Sequence, residues 1–356
     1  MGHSGIHRSV DAGIHRVGLP IRLAGRSGGP RAGGIVDTVS ETHNGSLRGA
    51  GNAMPVIEVS NLHKEYGRVT AVDDVTFAVE PGEIFGILGP NGAGKTTTVE
   101  CISGLRAPDG GSVRVLGLDP VADRDELHQT VGVQLQEAGL PDKLKVREVM
   151  ELFASFYRDP ADVDGLLRRL GLTEKAGARY KKLSGGQKQR LAIALALIGN
   201  PRVVILDELT TGLDPHARRE TWGLVEQVRD AGVTVLLVTH FMEEAERLCD
   251  RLALIDHGRV VAVDTPVGLA EHNGGGQRMR FRPSEPVEDA EFLALPEVAT
   301  VTRHGAQIEL SGNVQLVQAV TTLLARRQII AEGLRVEQSS LDDAFINLTD
   351  QAAKEQ

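Results

Sequence analysis

Hydrophobic positions in the middle of the chain form short continuous runs that alternate with stretches of helical periodicity. The runs at residues 84–88, 203–206 and 233–239 have the length of strands and are apolar almost throughout, which is typical of strands buried on both faces. Helix-compatible stretches lie between them, one extending to Leu105 and another ending at Ile198. Strands that alternate with helices predict an α/β domain with a largely parallel central sheet.

The periodicity breaks at residues 271–276, where Asn273 and three glycines indicate a linker. Beyond the linker we predict four strands and two helices in the order β-α-β-β-α-β, which is that of a ferredoxin-like α+β fold. The strands are expected at residues 277–281, 298–302, 307–310 and 329–336, and the helices at 288–295 and 314–327. A last short helix is expected to begin at Ser340, because Ser340 and Asp343 have the spacing of a capping box.

The first 53 residues have a composition unlike that of the rest of the chain. They are rich in Gly, His and Arg and show no apolar periodicity, so we expect them to be disordered. Met54, which opens the first patterned segment, is an alternative start of translation. The predicted organisation is therefore a disordered segment at 1–53, a main domain at 54–271 with a helical subdomain at about 137–185, and an accessory domain at 277–350.

Composition and charge exclude several classes of protein. A formal net charge of -9 and only 3% aromatic residues do not suit a nucleic-acid-binding surface, so no nucleic-acid partner is expected. The two cysteines, Cys101 and Cys249, make neither a disulfide framework nor a metal-ligand pattern, which favours a reducing compartment. The apolar runs are far shorter than the ~20 residues that span a bilayer.

The most specific local pattern is Gly-x-x-x-x-Gly-Lys-Thr at residues 89–96, which we call the phosphate loop. It lies between a predicted strand and a predicted helix, the context in which backbone N–H groups and a helix N-terminus bind phosphates. Lys95 is expected to reach the β and γ phosphates, and the Thr96 hydroxyl to bind Mg²⁺. The predicted ATP-binding residues here are Gly89, Pro90, Asn91, Gly92, Ala93, Gly94, Lys95, Thr96 and Thr97.

A second glycine-containing helix start lies at Ser184, which forms a capping-box pattern with Gln187. Gly185 and Gly186 occupy the first turn, where each glycine weakens a helix by ~1 kcal/mol relative to alanine. A bare helix N-terminus suits an anion, although a well-capped structural helix is the alternative.

Two acids, Asp207 and Glu208, end the apolar run at residues 203–206, and His240 ends the run at 233–239. The carboxyl ends of parallel strands meet at one edge of a sheet, beside the phosphate loop. We expect Asp207 to hold Mg²⁺ through its coordination shell and Glu208 to orient the attacking water.

The order of these motifs resembles that of an ABC transporter nucleotide-binding domain over about residues 56–270. The residues that carry the resemblance are the phosphate loop, Leu183-Ser184-Gly185-Gly186-Gln187, Asp207-Glu208, Gly212-Leu213-Asp214 and His240. The resemblance implies a P-loop NTPase fold of the ABC type with a helical subdomain. One departure is Leu209, at a position where the family usually has proline, and we expect it to relax the turn after Glu208.

The resemblance also implies roles for individual residues. Glu208, His240 and Lys95 would act in hydrolysis, together with a glutamine that contacts Mg²⁺ and the attacking water. Gln134 and Gln136 both qualify for that glutamine, and Gln136 aligns better. Tyr66 resembles the aromatic residue that stacks on adenine, with a half-buried strand residue as the alternative.

Two copies of the chain would enclose two ATP molecules, according to the same resemblance. Each ATP would lie between the phosphate loop of one copy and residues of the other copy, namely Ser184, Gly185, Gly186, Gln187 and Asp214. A separate integral-membrane permease would dock on the helical insert, most closely at residues 141–149, and the chain would lie at the cytoplasmic face of the membrane.

The unit beyond the linker resembles the C-terminal extension of ABC ATPases from the drug-exporter branch, on the pattern Leu341-Asp342-Asp343-Ala344-Phe345. The expected function is therefore an ATP-hydrolysing subunit of an exporter of drugs or other hydrophobic compounds, with ATP and Mg²⁺ as cofactors. An ABC ATPase that acts on nucleic acid or ribosomes is the alternative. A regulatory module that binds ATP without turnover is opposed by the presence of Glu208 and His240.

Overall fold

The computed structural model describes residues 54–134, 139–272, 276–338, 341–342 and 344–345. The described residues from 54 to 272 form one large mixed sheet flanked by helices. In chain order its elements are β1 (Ile57–Tyr66), β2 (Val69–Val79), β3 (Ile84–Leu88), α1 (Lys95–Ile102), β4 (Gly110–Val115), α2 (Arg124–Thr130), β5 (Val131–Gln134), α3 (Val146–Ala154), α4 (Val163–Arg169), α5 (Gly185–Leu197), β6 (Val203–Asp207), α6 (Pro215–Asp230), β7 (Thr234–Thr239), α7 (Met242–Leu248), β8 (Arg251–Asp256), β9 (Arg259–Asp264) and α8 (Pro266–His272).

The sheet has nine strands in the order β4-β1-β2-β9-β8-β3-β7-β6-β5. The strands from β8 to β5 run parallel, whereas β1 pairs antiparallel with β2 and β4, and β8 pairs antiparallel with β9. Every residue of β3, β6 and β7 is buried, because hydrophobic clusters cover both faces of the sheet. This confirms the α/β architecture predicted from the continuous apolar runs.

The register of the central strands determines where the site lies. Leu88 at the end of β3 pairs with Thr239 at the end of β7, and Asp207 at the end of β6 pairs with Val238. The phosphate loop, the two acids and His240 therefore leave the sheet side by side at its carboxyl edge.

Helix α1 is shorter than predicted. It ends at Ile102 rather than extending to Leu105, because Gly104 has a φ of 71°, in the left-handed region that terminates helices. The predicted span of the helical subdomain contains α3, α4 and the first residue of α5, and residues 135–138 lie outside the described part of the chain. Helix α3 buries Val146, Val149, Met150 and Phe153 along one face, the spacing of an amphipathic helix.

A second, four-stranded antiparallel sheet follows residue 276. Its elements are β10 (Gln277–Pro283), α9 (Asp289–Leu293), β11 (Val298–His304), β12 (Gln307–Gly312), α10 (Leu316–Arg326) and β13 (Ala331–Gln338). The strand order β11-β12-β10-β13 with antiparallel neighbours is that of a ferredoxin-like fold, as predicted from the element order. The last strand begins two residues later than predicted. Gln328 has a φ of 58° and Ile329 donates its N–H to the Leu324 carbonyl, so these residues close α10.

The chain then returns to the main body. Leu341 and Ala344 are buried, and Leu341 belongs to the same hydrophobic cluster as residues of α5, α6 and α7. The Leu341 N–H also donates to Glu246 Oε1 at 2.7 Å. Ser340 and Asp343, which predicted a capping box, lie outside the described residues. Among the residues that the structure describes, no helix is long and apolar enough to cross a bilayer.

Candidate functional site

The phosphate loop packs tightly on its own domain. A Cβ atom at Gly89 would lie 2.1 Å from the Ile255 carbonyl oxygen, and one at Gly94, where φ is 99°, would lie 2.3 Å from the Ala71 carbonyl oxygen. Both positions therefore require glycine. The loop is supported from beneath by the β8–β9 turn, since Gly258 donates its N–H to the Ala93 carbonyl at 3.0 Å.

Lys95 is buried in the centre of this loop, at the first position of α1. Its ammonium group donates to the Gly89 carbonyl at 2.7 Å and to the Pro90 carbonyl at 2.9 Å. Burial lowers the pKa of Lys95, whereas the negative charges of Glu208 and Asp207 raise it. A cation that is partly removed from water and held by two neutral carbonyls is well placed to attract phosphate oxygens.

The first turn of α1 also presents Thr96, which is exposed, and Thr97, which is half-buried. Gly94 at the N-cap provides no side-chain hydrogen bond to this turn. The amide groups at such a helix start favour an anion. The loop and the helix start together thus form a cradle suited to phosphate groups.

Asp207 lies at the end of β6 with only 2% of its surface exposed. Burial and the neighbouring charge of Glu208 raise the pKa of Asp207 to about 6, and Lys95 opposes this rise. A buried carboxylate with incomplete charge compensation fits a divalent cation, which prefers oxygen ligands. The residues that would hold Mg²⁺ are Asp207 and the Thr96 hydroxyl.

Glu208 and His240 are in direct contact, with 3.1 Å between Glu208 Oε1 and His240 Nδ1. Glu208 has a φ of 47°, a strained conformation for a residue with a side chain, and such strain is often found at functional sites. Its N–H donates to the Val238 carbonyl of the neighbouring strand at 2.9 Å. The next residue, Leu209, is fully buried in the hydrophobic cluster, so packing anchors the turn that follows Glu208.

Helix α5 begins with both hydrogen bonds of a capping box. Gln187 N–H donates to Ser184 Oγ at 3.3 Å, and Ser184 N–H donates to Gln187 Oε1 at 3.1 Å. A Cβ atom at Gly185 would lie 3.6 Å from Leu213 Cδ2, and one at Gly186 would lie 3.5 Å from Ala217 Cβ. These are ordinary van der Waals distances, and neither glycine has a positive φ. The packing of this chain therefore does not require glycine at either position.

Asp214 lies beside this helix start, at the N-cap of α6. Its Oδ1 accepts hydrogen bonds from the N–H groups of His216 at 3.0 Å and Ala217 at 2.9 Å. These amide donors hold the pKa of the Asp214 carboxyl below its ordinary value. The predicted site residues thus fall into two groups, one around Lys95, Glu208 and His240 and the other around Ser184 and Asp214.

Tyr66 ends β1 and keeps 40% of its surface exposed. The Arg106 guanidinium lies 5.0 Å from the centroid of its ring, and the Lys64 ammonium lies 5.8 Å from it. This aromatic ring with two flanking cations could stack on a base. Arg106 was not predicted from the sequence, because no local pattern shows which side chain reaches a residue forty positions earlier.

The sequence predicted a glutamine at the site, either Gln134 or Gln136. Gln134 is buried at the end of β5, whereas Gln136 lies outside the described residues.

The turn at His257 and Gly258 was not predicted from the sequence to be part of the site. Its glycine between two apolar runs predicts a turn, but only the tertiary fold shows that the turn contacts the phosphate loop.

Known proteins resemble this chain in both the main domain and the greater part of its length. The family model described as ABC transporter matches residues 72–211. The Nod factor export ATP-binding protein I of Mesorhizobium japonicum is 38% identical over 308 residues, which cover 84% of this chain and 88% of that protein.

Two solved structures show the same fold. Protein cbiO1 from Clostridium perfringens, part of the ABC transporter complex cbiONQ, is 28% identical with a TM-score of 0.56 and covers 60% of this chain and 90% of its own. An ATP-binding cassette solved as a dimer in a post-hydrolysis state with ADP and Pi is also 28% identical, with a TM-score of 0.53, and covers 59% of this chain and 98% of its own.

Proposed function

Because this chain belongs to the ABC transporter family of ATP-binding proteins, we propose that two copies of it enclose two ATP molecules and drive a separate membrane permease. The chain itself is the ATP-binding and ATP-hydrolysing subunit. Each ATP lies between the phosphate loop of one copy and the start of α5 in the other. The ATP-bound state holds the pair together, and hydrolysis releases it.

The observation that carries this proposal is the pair of glycines at the start of α5. Glycine in a helix is unfavourable, and neither Gly185 nor Gly186 is needed for the packing of its own chain. Ser184 and Gly185 are exposed, and the glycines carry no side chain that would keep a phosphate group away from this helix N-terminus. The chain already has one phosphate loop, so the second anion is supplied by another copy, and twofold symmetry makes both contacts at once.

Hydrolysis uses the group of side chains at the carboxyl edge of the sheet. Lys95 and the amides of the phosphate loop stabilise the charge that spreads over the transferred phosphoryl group. Glu208 accepts a hydrogen bond from the attacking water and orients it. His240, in contact with Glu208 at 3.1 Å, keeps that carboxylate in position. Mg²⁺, bound through Asp207 and Thr96, would neutralise charge on the phosphate oxygens.

Three other side chains complete the proposed binding site. Tyr66 stacks on adenine, supported by its exposed ring and by the Arg106 guanidinium beside it. Asp214 contacts the site of the other copy. Gln136, or Gln134 in its place, would hold the metal and the attacking water.

The permease is a separate integral-membrane protein, and docking at residues 141–149 of the helical insert places this chain at the cytoplasmic face of the membrane. The direction of transport is export, as in the relative named for Nod factor export. Hydrophobic compounds such as drugs are the proposed cargo class, on the resemblance of the C-terminal unit to that of drug exporters. If a membrane protein is found to be encoded beside its gene, transport by the two proteins together in reconstituted vesicles would test this.

The catalytic assignment is tested by Glu208→Gln. This change removes the carboxylate but keeps an amide of the same shape, so ATP should still bind while turnover falls. Loss of water positioning of this kind is worth ~10²–10⁴-fold in rate. Steady-state phosphate release, together with calorimetric titration of ATP, measures the two effects separately.

Glu220→Gln is the matched control, because Glu220 is a half-exposed carboxylate paired with Arg190 on α5 and has no proposed part in the chemistry. Its turnover should match that of the wild-type chain. If Glu208→Gln also turns over ATP at nearly the wild-type rate, the role assigned to Glu208 is wrong.

A further inference from the structure

A buried carboxylate joins α6, which begins after Asp214, to α7, which begins after His240. Glu244, in the first turn of α7, is 0% exposed, and its Oε1 accepts a hydrogen bond from Trp222 Nε1 of α6 at 3.0 Å. Its other oxygen, Oε2, has no hydrogen-bond partner within the part of the chain that the structure describes. Burial of a carboxylate with one neutral donor is costly. An apolar side chain at this position would leave the buried Trp222 N–H without an acceptor, so the glutamate joins α7 to α6 through a specific hydrogen bond.

A second contact lies one helical turn closer to the site. The Arg218 guanidinium of α6 is 4.8 Å from the centroid of the Phe241 ring. The Phe241 ring in turn lies 4.1 Å, between centroids, from the imidazole of His240. We call Arg218, Trp222, Phe241 and Glu244 the α6–α7 junction.

The spacing along α6 connects this junction to Asp214. Asp214 is the N-cap of α6, and Arg218 and Trp222 follow it at intervals of four residues. Residues four apart lie on one face of a helix. The face that begins at Asp214 therefore continues along the helix to the residues that contact Phe241 and Glu244.

We propose that the α6–α7 junction sets the position of His240 according to the position of Asp214. This inference rests on the proposed function, in which Asp214 contacts the ATP site of the other copy. When the second copy closes on Asp214, α6 moves as a rigid body and carries Arg218 and Trp222 with it. Phe241 and Glu244 transmit that shift to the segment that carries His240. The four junction residues thereby act as positioning residues for His240.

The structure supplies a matched control for a purely structural link. Arg247 of α7 and Glu226 of α6 also join the two helices, with 3.0 Å between Arg247 Nη2 and Glu226 Oε1. This ion pair lies further along both helices from His240, and the arginine side chain is mostly exposed. Breaking it tests whether any contact between α6 and α7 has the same effect.

The test compares Glu244→Leu, Glu244→Gln and Glu226→Gln in the full chain by steady-state ATP hydrolysis. Misplacement of a catalytic group by about 1 Å can cost up to ~10²-fold. We expect Glu244→Leu to lower kcat by roughly 10- to 100-fold with little change in KM. Glu244→Gln, which keeps a carbonyl acceptor for Trp222, should restore most of the lost kcat, and Glu226→Gln should match the wild type.

The outcomes separate this inference from the proposed function. Absence of ATP hydrolysis by the wild-type chain would overturn the proposed function. Hydrolysis by the wild-type chain with an unchanged kcat in folded Glu244→Leu would overturn the junction alone. If Glu244→Leu does not fold, Trp222→Phe replaces it in the test, because this change removes the same hydrogen bond by deleting the donor. An unchanged kcat in Trp222→Phe would then overturn the junction.

A spectroscopic measurement reports the junction directly, because the chain contains a single tryptophan. In the Glu208→Gln background, addition of Mg-ATP should change the emission of Trp222 as the pair closes. The change should be lost when Asp214→Ala is added, since the movement begins at Asp214. Emission that does not respond to ATP while the pair forms, or that responds equally without Asp214, would contradict the proposal.

Discussion

At the scale of single residues, the site combines unfavourable features that a merely stable protein would lack. Glu208 has a strained backbone at φ 47°, and Lys95 is buried against two carbonyl groups. Asp207 is buried with a pKa raised to about 6. Such features lower the stability of the nucleotide-free chain. Binding of charged ligands to the folded state offsets this loss of stability.

Asp207→Asn should therefore stabilise the nucleotide-free chain while it abolishes hydrolysis. The folded-state pKa of Asp207, about 6, lies above the ordinary value of 3.8. Between these values the folded state binds the extra proton, so the cost of the charge is fully present above pH 6 and disappears as the pH falls towards 4. The gain at pH 7.5 should be roughly 1–3 kcal/mol and should shrink at pH 5.

Thermal unfolding of the two chains at both pH values measures this difference. Asp230→Asn, at a mostly exposed position at the end of α6, is the control and should change stability little at either pH. A gain for Asp207→Asn that is equal at pH 7.5 and pH 5, or a loss at pH 7.5, would contradict the account of Asp207.

At the scale of elements, the C-terminal segment after β13 links the second sheet to the main body. Leu341 packs into the main hydrophobic cluster, and its N–H donates to Glu246 of α7. Leu341→Ala removes buried apolar contacts, a change that costs about 2–5 kcal/mol when the surroundings stay in place. We expect the segment to detach locally, so the loss of global stability should be smaller than this. The measurement is hydrogen exchange of the residue 341 amide, which should become faster.

Leu334→Ala serves as the control for this prediction, because Leu334 is an exposed leucine on β13 of the same sheet. It should leave that exchange rate unchanged. An exchange rate in Leu341→Ala equal to that of the wild-type chain would show that the segment does not depend on this contact.

The elements themselves were largely predictable, because each leaves a local pattern. Continuous apolar runs predicted the buried strands β3, β6 and β7, and the break at residues 271–276 with the following alternation predicted the ferredoxin-like order. Termination of α1 at Ile102 was missed, since the role of Gly104 depends on a φ of 71° that propensity does not reveal. Element boundaries shifted by a few residues wherever a turn residue decided them.

The candidate site was predictable only as far as it is local in sequence. The phosphate loop and the capping box at Ser184 are contiguous and were found. The contacts between Tyr66 and Arg106 and between Trp222 and Glu244 join residues brought together by strand register and helix packing. No single stretch of sequence contains that information. The positive φ of Glu208 likewise occurs just beyond the end of β6, where its N–H donates to the Val238 carbonyl of β7.

At the scale of the whole molecule, the proposed function gives one chain two half-sites. The phosphate loop, Glu208 and His240 form one, and Ser184, with Gly185, Gly186 and Asp214, forms the other. The packing of its own chain does not require the two glycines of the second half-site, since a Cβ at either one would meet only ordinary contacts. A complete site would therefore require two copies, and this proposal is the central claim of the account.

The most direct test is ATP-dependent dimerisation of the Glu208→Gln chain with and without Gly186→Asp, measured by size exclusion with light scattering. We expect Glu208→Gln to dimerise with Mg-ATP. Glu208→Gln with Gly186→Asp should bind ATP but stay monomeric, because the added carboxylate faces the γ-phosphate of the other copy. Glu208→Gln with Gly177→Asp, a charge at an exposed glycine of the helical insert with free space around it, should dimerise normally. Equal dimer fractions with and without Gly186→Asp would contradict the shared site.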